Sequence, residues 1–203
     1  MKTASLKNLV SLDPRIPIWD RVFTVAPLVV VGSRGAGQDD LAPKHMATPL
    51  GFGNYFGFVC TPRHCTYGNI EETGVFSVSF PTPQQLVSVS LSATPRNQET
   101  TKSESVLAAL STIRASSMDI PMIDGAYLYL ECELFKIVDG FDDYSIITGL
   151  IRKAYVHKDY LRMSEQDESV QLQQNPLLAY VAHGRFALIK ETYNFPFPKD
   201  FQR

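Results

Sequence analysis

The sequence predicts a mainly β protein, a barrel carrying a few short helices rather than a doubly wound sheet. Three observations lead there. Phe76-Ser77-Val78-Ser79-Phe80 alternates between apolar and small polar residues, the period-two pattern of a half-buried strand. Tyr127 to Val138 and Tyr144 to Val156 are two long strand-like runs, joined by Asp139-Gly140-Phe141-Asp142-Asp143 as a hairpin. The helical patterns are short and scattered, without the regular strand–helix alternation of a parallel sheet.

The other elements follow in chain order. Val22 to Ser33 reads as a strand entering a turn, and its run Leu28-Val29-Val30-Val31 is apolar on both faces, as in a strand covered on both sides. Arg34 to Asp40 is that turn, with glycines where a positive φ is needed. Asp40 to Pro49, with two prolines and several polar groups, reads as a loop between strands. Phe52 to Cys60 is aromatic and glycine-rich, a second strand with close backbone approaches. Thr66 to Thr73 is a helix closed by Gly74. Residues 86–93 alternate like a strand, but their length and the preceding glutamines suit a helix equally. Ser103 to Ser111 places Val106, Leu107 and Leu110 on one helical face. Ser164 to Gln174, polar apart from Val170 and Leu172, reads as a mobile loop. Phe186 to Ile189 is a last strand. A single domain over 1–203 is expected, with an N-terminal extension 1–20 and an aromatic, proline-rich tail 191–203.

Composition bounds the function. The chain has 203 residues, and 19 basic against 21 acidic residues leave a net charge of −2, without the basic footprint of nucleic-acid binding. An apolar share of 44% with 20% charged residues supports a packed core. The longest apolar run, Ala26 to Gly32, is far below the roughly 20 residues that span a bilayer. No signal peptide is visible, and three cysteines make no disulfide framework. A cytoplasmic protein is expected.

The most informative stretch is Pro62-Arg63-His64-Cys65-Thr66-Tyr67-Gly68-Asn69-Ile70. With Thr66 as helix cap, its hydroxyl and the free amides of the first turn converge, and Asn69 lies on the same face. A helix N-terminus offers donors and partial positive charge, which suits a phosphate, and Arg63 and His64 add charge. An ordinary capped helix with a surface arginine has the same spacing. The loop Asp40 to Pro49 can lie edge-on to a planar heterocycle, or simply connect two strands.

Asp40-Leu41-Ala42-Pro43, the segment to Thr48-Pro49, Cys65-Thr66-Tyr67-Gly68-Asn69-Ile70 and the Phe76–Phe80 strand together resemble the flavin-reductase-like family, especially its flavoredoxin and ferric-reductase-like branch. Leu130-Glu131-Cys132, Ser145 to Ala154, Pro176-Leu177-Leu178 and Gly184-Arg185-Phe186 follow in the expected order, so the resemblance covers roughly residues 20–190. It implies an FMN-binding split β-barrel of Greek-key type, working as a homodimer with FMN near the subunit interface. Carried over by motif, Thr66, Asn69 and Arg63, with His64, hold the phosphate. His45, Met46, Ala47 and Thr48 contact the isoalloxazine ring, and Cys60 and Thr61 flank the ribityl chain. His183 and Arg185 are placed beside the groove, although His183 equally closes a turn. Many family reductases carry a histidine in the hairpin that helps seat nicotinamide; here Asp142-Asp143-Tyr144 stands there, and Tyr144 is the residue left to stack on that ring.

Other constellations weigh less. Cys60, His64 and Cys65 lack a fourth ligand at a familiar zinc spacing, and a Cys–His nucleophile pair is easily a chance pairing. Glu131 and Glu133 share a strand face, which reads as the wet side of a sheet opposite Leu128, Leu130, Cys132 and Leu134. His157 reads as a surface residue and Trp19, near Phe23, as a packing anchor. The functional expectation is an NAD(P)H-dependent flavin oxidoreductase passing electrons to free FMN, ferric iron or a partner protein. The alternative is an FMN electron carrier without its own pyridine-nucleotide turnover.

Overall fold

The computed structural model describes residues 8–93, 110–162 and 167–198. Twelve strands and three α-helices are built from them: β1 Val25–Pro27, β2 Val29–Gly35, β3 Gln38–Lys44, β4 Ala47–Pro49, β5 Tyr55–Cys60, α1 Cys65–Thr73, β6 Val75–Phe80, α2 Leu86–Ser92, β7 Thr112–Arg114, β8 Pro121–Ile123, β9 Leu128–Phe141, β10 Tyr144–Val156, α3 Glu168–Gln174, β11 Leu177–Val181 and β12 Arg185–Ile189. Seven strands form one antiparallel sheet in the order β3-β2-β6-β9-β10-β5-β4, which curls into a split β-barrel. A second sheet, β1-β11-β12, and a two-stranded ribbon, β7-β8, pack beside it.

Curling brings the inner faces of non-adjacent strands together. Val29 and Val31 of β2, Phe56 and Phe58 of β5, Phe76 and Val78 of β6, Leu130 and Cys132 of β9 and Ile147 of β10 share one core with Tyr67 and Ile70 of α1. Phe58 meets Phe76 edge-on at 5.4 Å between ring centroids, the arrangement aromatic quadrupoles favour. The outer face of β2 is covered too, because Val30 joins Leu41, Val89, Leu110 and Ile123 in a second cluster. That is why three consecutive valines, Val29, Val30 and Val31, are all buried, as the apolar run predicted.

Several elements match the sequence reading. β6 and β10 fall where expected, α1 starts one residue early, and its C-cap Gly74 is left-handed at φ 72°. The β9–β10 hairpin turns at Asp142, with φ 54°. Residues 86–93, open between strand and helix, form α2. The candidate helix Ser103–Ser111 lies outside the described residues except for its last two positions.

Five readings are corrected. Val22–Ser33 is divided into β1 and β2 at Leu28. Asp40–Pro49 is mostly strand, not loop: β3 and β4 are the two edges of the sheet, where a proline's missing N–H breaks no ladder. Ser164–Gln174 contains α3, capped by Asp167 accepting from the Ser169 amide and anchored by Gln171, which donates to the Asp159 and Leu161 carbonyls. Glu131 is fully buried, where the Ser116 and Ser117 amides and the Ser117 hydroxyl donate to its carboxylate; only Glu133 is on the wet side, paired with Arg152. In this chain Trp19 and Phe23 are 59% and 81% exposed rather than packed.

Close approach explains one glycine. A Cβ at Gly32 would lie 2.0 Å from the Pro121 carbonyl oxygen and 2.4 Å from the Ser77 hydroxyl, so β2 and β8 meet only because the side chain is missing. Gly68 on α1 has nothing within 4 Å of such a Cβ. Gly32→Ala is therefore expected to destabilise the fold by on the order of 3 kcal/mol, since backbone cannot yield. Gly68→Ala is expected to stabilise it by about 0.5–1 kcal/mol through helix propensity. Urea unfolding of the two variants checks the opposite signs.

Candidate functional site

Strand β5 ends at Cys60, and the turn Thr61-Pro62 delivers the chain into α1. At the head of α1 the N-cap is His64, in an extended conformation and with no side-chain cap bond. The first inward amides, those of Cys65 and Thr66, have no acceptor among the described residues, whereas Tyr67 N–H donates to the His64 carbonyl at 3.0 Å. Unmatched first-turn amides at the positive end of the helix dipole attract negative charge.

Thr66 is not the cap that its spacing suggested. It is buried inside α1, and its hydroxyl donates to Asp40 Oδ2 at 2.6 Å. Asn69 donates from Nδ2 to the Ser33 hydroxyl at 3.1 Å, and its Oδ1 would lie 2.1 Å from a Cβ at Gly35. Both side chains are spent on docking α1 against β2 and β3.

Those residues converge from four elements. Lys44 ends β3, and the chain then reverses at His45-Met46 so that the Val59 amide donates to the Met46 carbonyl at 2.8 Å and β4 runs beside β5. This brings Lys44 Nζ to 3.4 Å from Cys60 Sγ, with Lys44 only 8% exposed. Burial raises the Cys60 pKa above the ordinary thiol value, an effect Lys44 partly offsets. The Thr61 hydroxyl is buried with no hydrogen-bond partner among the described residues. His64 titrates below its ordinary 6.5 because of burial first and then the positive charge of Lys44, with Asp40 opposing and Arg63 adding. His45, stacked on Tyr180 at 4.3 Å, is lowered by burial and then by His183 and Lys44. Lys44, His45, His64 and His183 thus lie within electrostatic reach of one another, with the buried Asp40 among them.

The remaining predicted residues lie around it. Arg63 pairs with Asp143 at 2.7 Å on the surface, which ties the head of α1 to the tip of the β9–β10 hairpin and places Tyr144, 53% exposed, nearby in the chain. Tyr67 and Ser145 both donate to Asp139 Oδ1, at 3.3 and 2.6 Å, and reinforce that link. Met46 and Thr48 face outward, while Ala47 is buried opposite Phe58. His183 sits in the β11–β12 turn, 2.9 Å from Asp20 Oδ1 and 3.2 Å from the Trp19 carbonyl oxygen. Arg185 opens β12 and is exposed. His157 is a surface residue beside Asp159. No group of three or more His, Cys, Asp and Glu side chains among the described residues could hold a metal ion, and no described helix is long and apolar enough to cross a membrane.

Sequence reasoning passed over Lys44. A lysine on a proline-containing, polar stretch reads as a solvated gatekeeper of a sheet edge. Only the reversal at His45-Met46, which folds β4 back onto β5, turns that lysine inward.

Among curated proteins, no sequence matches this one. The fold has relatives among solved structures. Flavoredoxin from Methanosarcina acetivorans superposes with a TM-score of 0.74 at 18% identity, over 94% of this chain and 96% of that one. An FMN-binding protein from Thermus thermophilus gives 0.69 at 20% identity, over 85% and 91%. A Shewanella frigidimarina protein with a split barrel domain gives 0.73 at 15% identity, over 86% and 87%. Residues 22–185 match the family described as flavin reductase like domain. That match spans the curled sheet, α1 and the hairpin that closes on it, and the chain belongs to the flavin reductase like family.

Proposed function

We propose that this chain binds FMN at the head of α1 and acts as an NAD(P)H-dependent flavin oxidoreductase. The observation that carries the reading is the head of α1, whose first-turn amides lie in a stretch of chain with the buried Thr61 hydroxyl and His64, the latter within electrostatic reach of buried Lys44. A chain of this family with an anion-attracting helix head fits a phosphorylated flavin. Bound FMN would supply the hydride and electron chemistry, which leaves the protein to bind, orient and shield.

In that reading the α1 amides, Arg63 and His64 hold the phosphate. Thr66 and Asn69 act one step back, by fixing α1 where its amides face the groove. Cys60 and Thr61 flank the ribityl chain, and His45 to Thr48 lie along the ring edge. His183 and Arg185 rim the groove, and Tyr144 offers its exposed ring to nicotinamide. The exposed aromatics Trp19, Phe23 and Phe186 leave apolar surface for a second copy, so the working unit is read as a homodimer. Free flavin, ferric iron or a protein acceptor would take the electrons. No side chain need serve as nucleophile or general acid.

Anaerobic mixing of FMN-loaded protein with NADH or NADPH tests the assignment. Loss of the oxidised flavin absorbance is expected. Flavin that stays oxidised with both donors, yet is reduced by a protein partner, supports the electron-carrier alternative, for which the exposed Phe141 and Tyr144 at the hairpin tip give a docking surface.

The burial of His45 and His64 beside Lys44 also has a signature in unliganded protein. His45 and His64 titrate below 6.5 when folded, so just below that pH the unfolded chain binds more protons than the native one. Their contribution to stability is complete above pH 6.5 and is lost as the pH falls through the folded values. Thermal unfolding from pH 8 to 5 is expected to show this decline, and His64→Gln is expected to flatten it.

A further inference from the structure

We infer that the cleft at the far end of the β9–β10 hairpin, away from the head of α1, is a second ligand site, and that it takes a small organic cation, a quaternary or protonated amine. Nothing in the flavin reading uses this cleft. At roughly 3.3 Å per residue, β10 carries Tyr155 about 35 Å from Tyr144 at the hairpin tip.

The cleft has a volume of about 460 Å³, within the range of small-molecule sites. Its walls hold four phenol rings: Tyr127 just before β9, Tyr129 of β9, Tyr155 of β10 and Tyr160 in the turn that follows β10. Tyr129 and Tyr155 are cross-strand partners, so both side chains rise from one face of the hairpin. Tyr160 stacks on Tyr127 at 4.5 Å, with 18° between the planes. The turn that presents Tyr160 is fixed, since the His157 amide donates to the Tyr127 carbonyl at 2.8 Å and Gln171 donates to the Asp159 and Leu161 carbonyls. Tyr155 is held by a 2.6 Å hydrogen bond between its hydroxyl and that of Ser116. The rings are thus in place before a ligand arrives, which lowers the cost of binding one.

The lining charges have one sign. Asp124 and Asp159 line the cleft, and among the described residues no lysine or arginine does. Asp124 accepts from the neutral Ser111 hydroxyl at 2.9 Å. His157 Nδ1, 3.6 Å from the Asp159 carboxylate, accepts from the Asp159 amide at 3.4 Å, so that nitrogen has no proton to offer the carboxylate. Lys153 is not a lining residue and donates to the Ser116 hydroxyl at 3.0 Å. Burial pushes the Tyr127 hydroxyl up to about 12 and raises Tyr129 and Tyr160 as well. These phenols therefore stay neutral and attract a cation through the negative faces of their quadrupoles. An anion is repelled by the two carboxylates, and a neutral apolar molecule leaves them unanswered. A compact cation suits both features, because aromatic faces and carboxylates attract it together.

Calorimetric titration with choline, and with the uncharged alcohol in which a carbon replaces the choline nitrogen, tests the site in wild type, Asp159→Asn and Tyr155→Leu, each with and without saturating FMN. Wild type is expected to bind choline saturably and the uncharged alcohol roughly tenfold more weakly. Each variant is expected to weaken choline roughly twofold to tenfold, the range of one exposed ion pair or one cation–π contact, while FMN binds both variants as it binds wild type. No saturable choline binding, equal affinity for the uncharged alcohol, or unchanged choline affinity in either variant overturns the site. Displacement of choline by FMN overturns it too, because the cation is then in the flavin groove. If Tyr155→Leu does not fold, Asp159→Asn decides, since it keeps the side-chain volume: weaker choline binding supports the site and unchanged binding overturns it. Should wild type bind no FMN, the flavin reading falls and the choline comparisons decide the site unaided.

Discussion

Everything at the site depends on how α1 is pinned to the sheet. Thr66 reaches Asp40 on β3, and Asn69 reaches Ser33 on β2 through space that only Gly35 leaves open. Ile70 and Tyr67 then drive into the core shared by β5, β6, β9 and β10. These contacts do no chemistry themselves. They hold the positive end of a short helix, with its unmatched amides, next to the buried ammonium of Lys44.

The sheet supplies the other half of the arrangement. Because β4 folds back along β5, the end of β3 and the end of β5 meet, and Lys44 is carried to Cys60. Because the β9–β10 hairpin is long, its tip reaches the head of α1 and is tied to it through Asp139 and Asp143.

Most of the barrel was legible in the sequence because its signals are local. The alternation at Phe76–Phe80, the valine run of β2 and the glycine after α1 each declare their structure within a few residues. The site was legible only in outline. Thr66 and Asn69 were found by spacing, but Thr66 is not the helix cap, and spacing does not reveal that Asp40 and Ser33 stand opposite the two side chains. Glu131 was misplaced for a similar reason: the Ser116 and Ser117 amides that receive its carboxylate belong to a loop fifteen and fourteen residues away. The prolines of β3 and β4 hid two strands, because tolerance of proline depends on being at a sheet edge, which is a property of the finished sheet. Lys44 was missed for the same reason.

A crystal structure of this chain grown with FMN tests the central claim most directly. The account predicts the phosphate within hydrogen-bonding distance of the Cys65 and Thr66 amides, with Arg63 and His64 beside it and Thr66 still donating to Asp40. A phosphate left in solvent or bound elsewhere, with the head of α1 untouched, would contradict it.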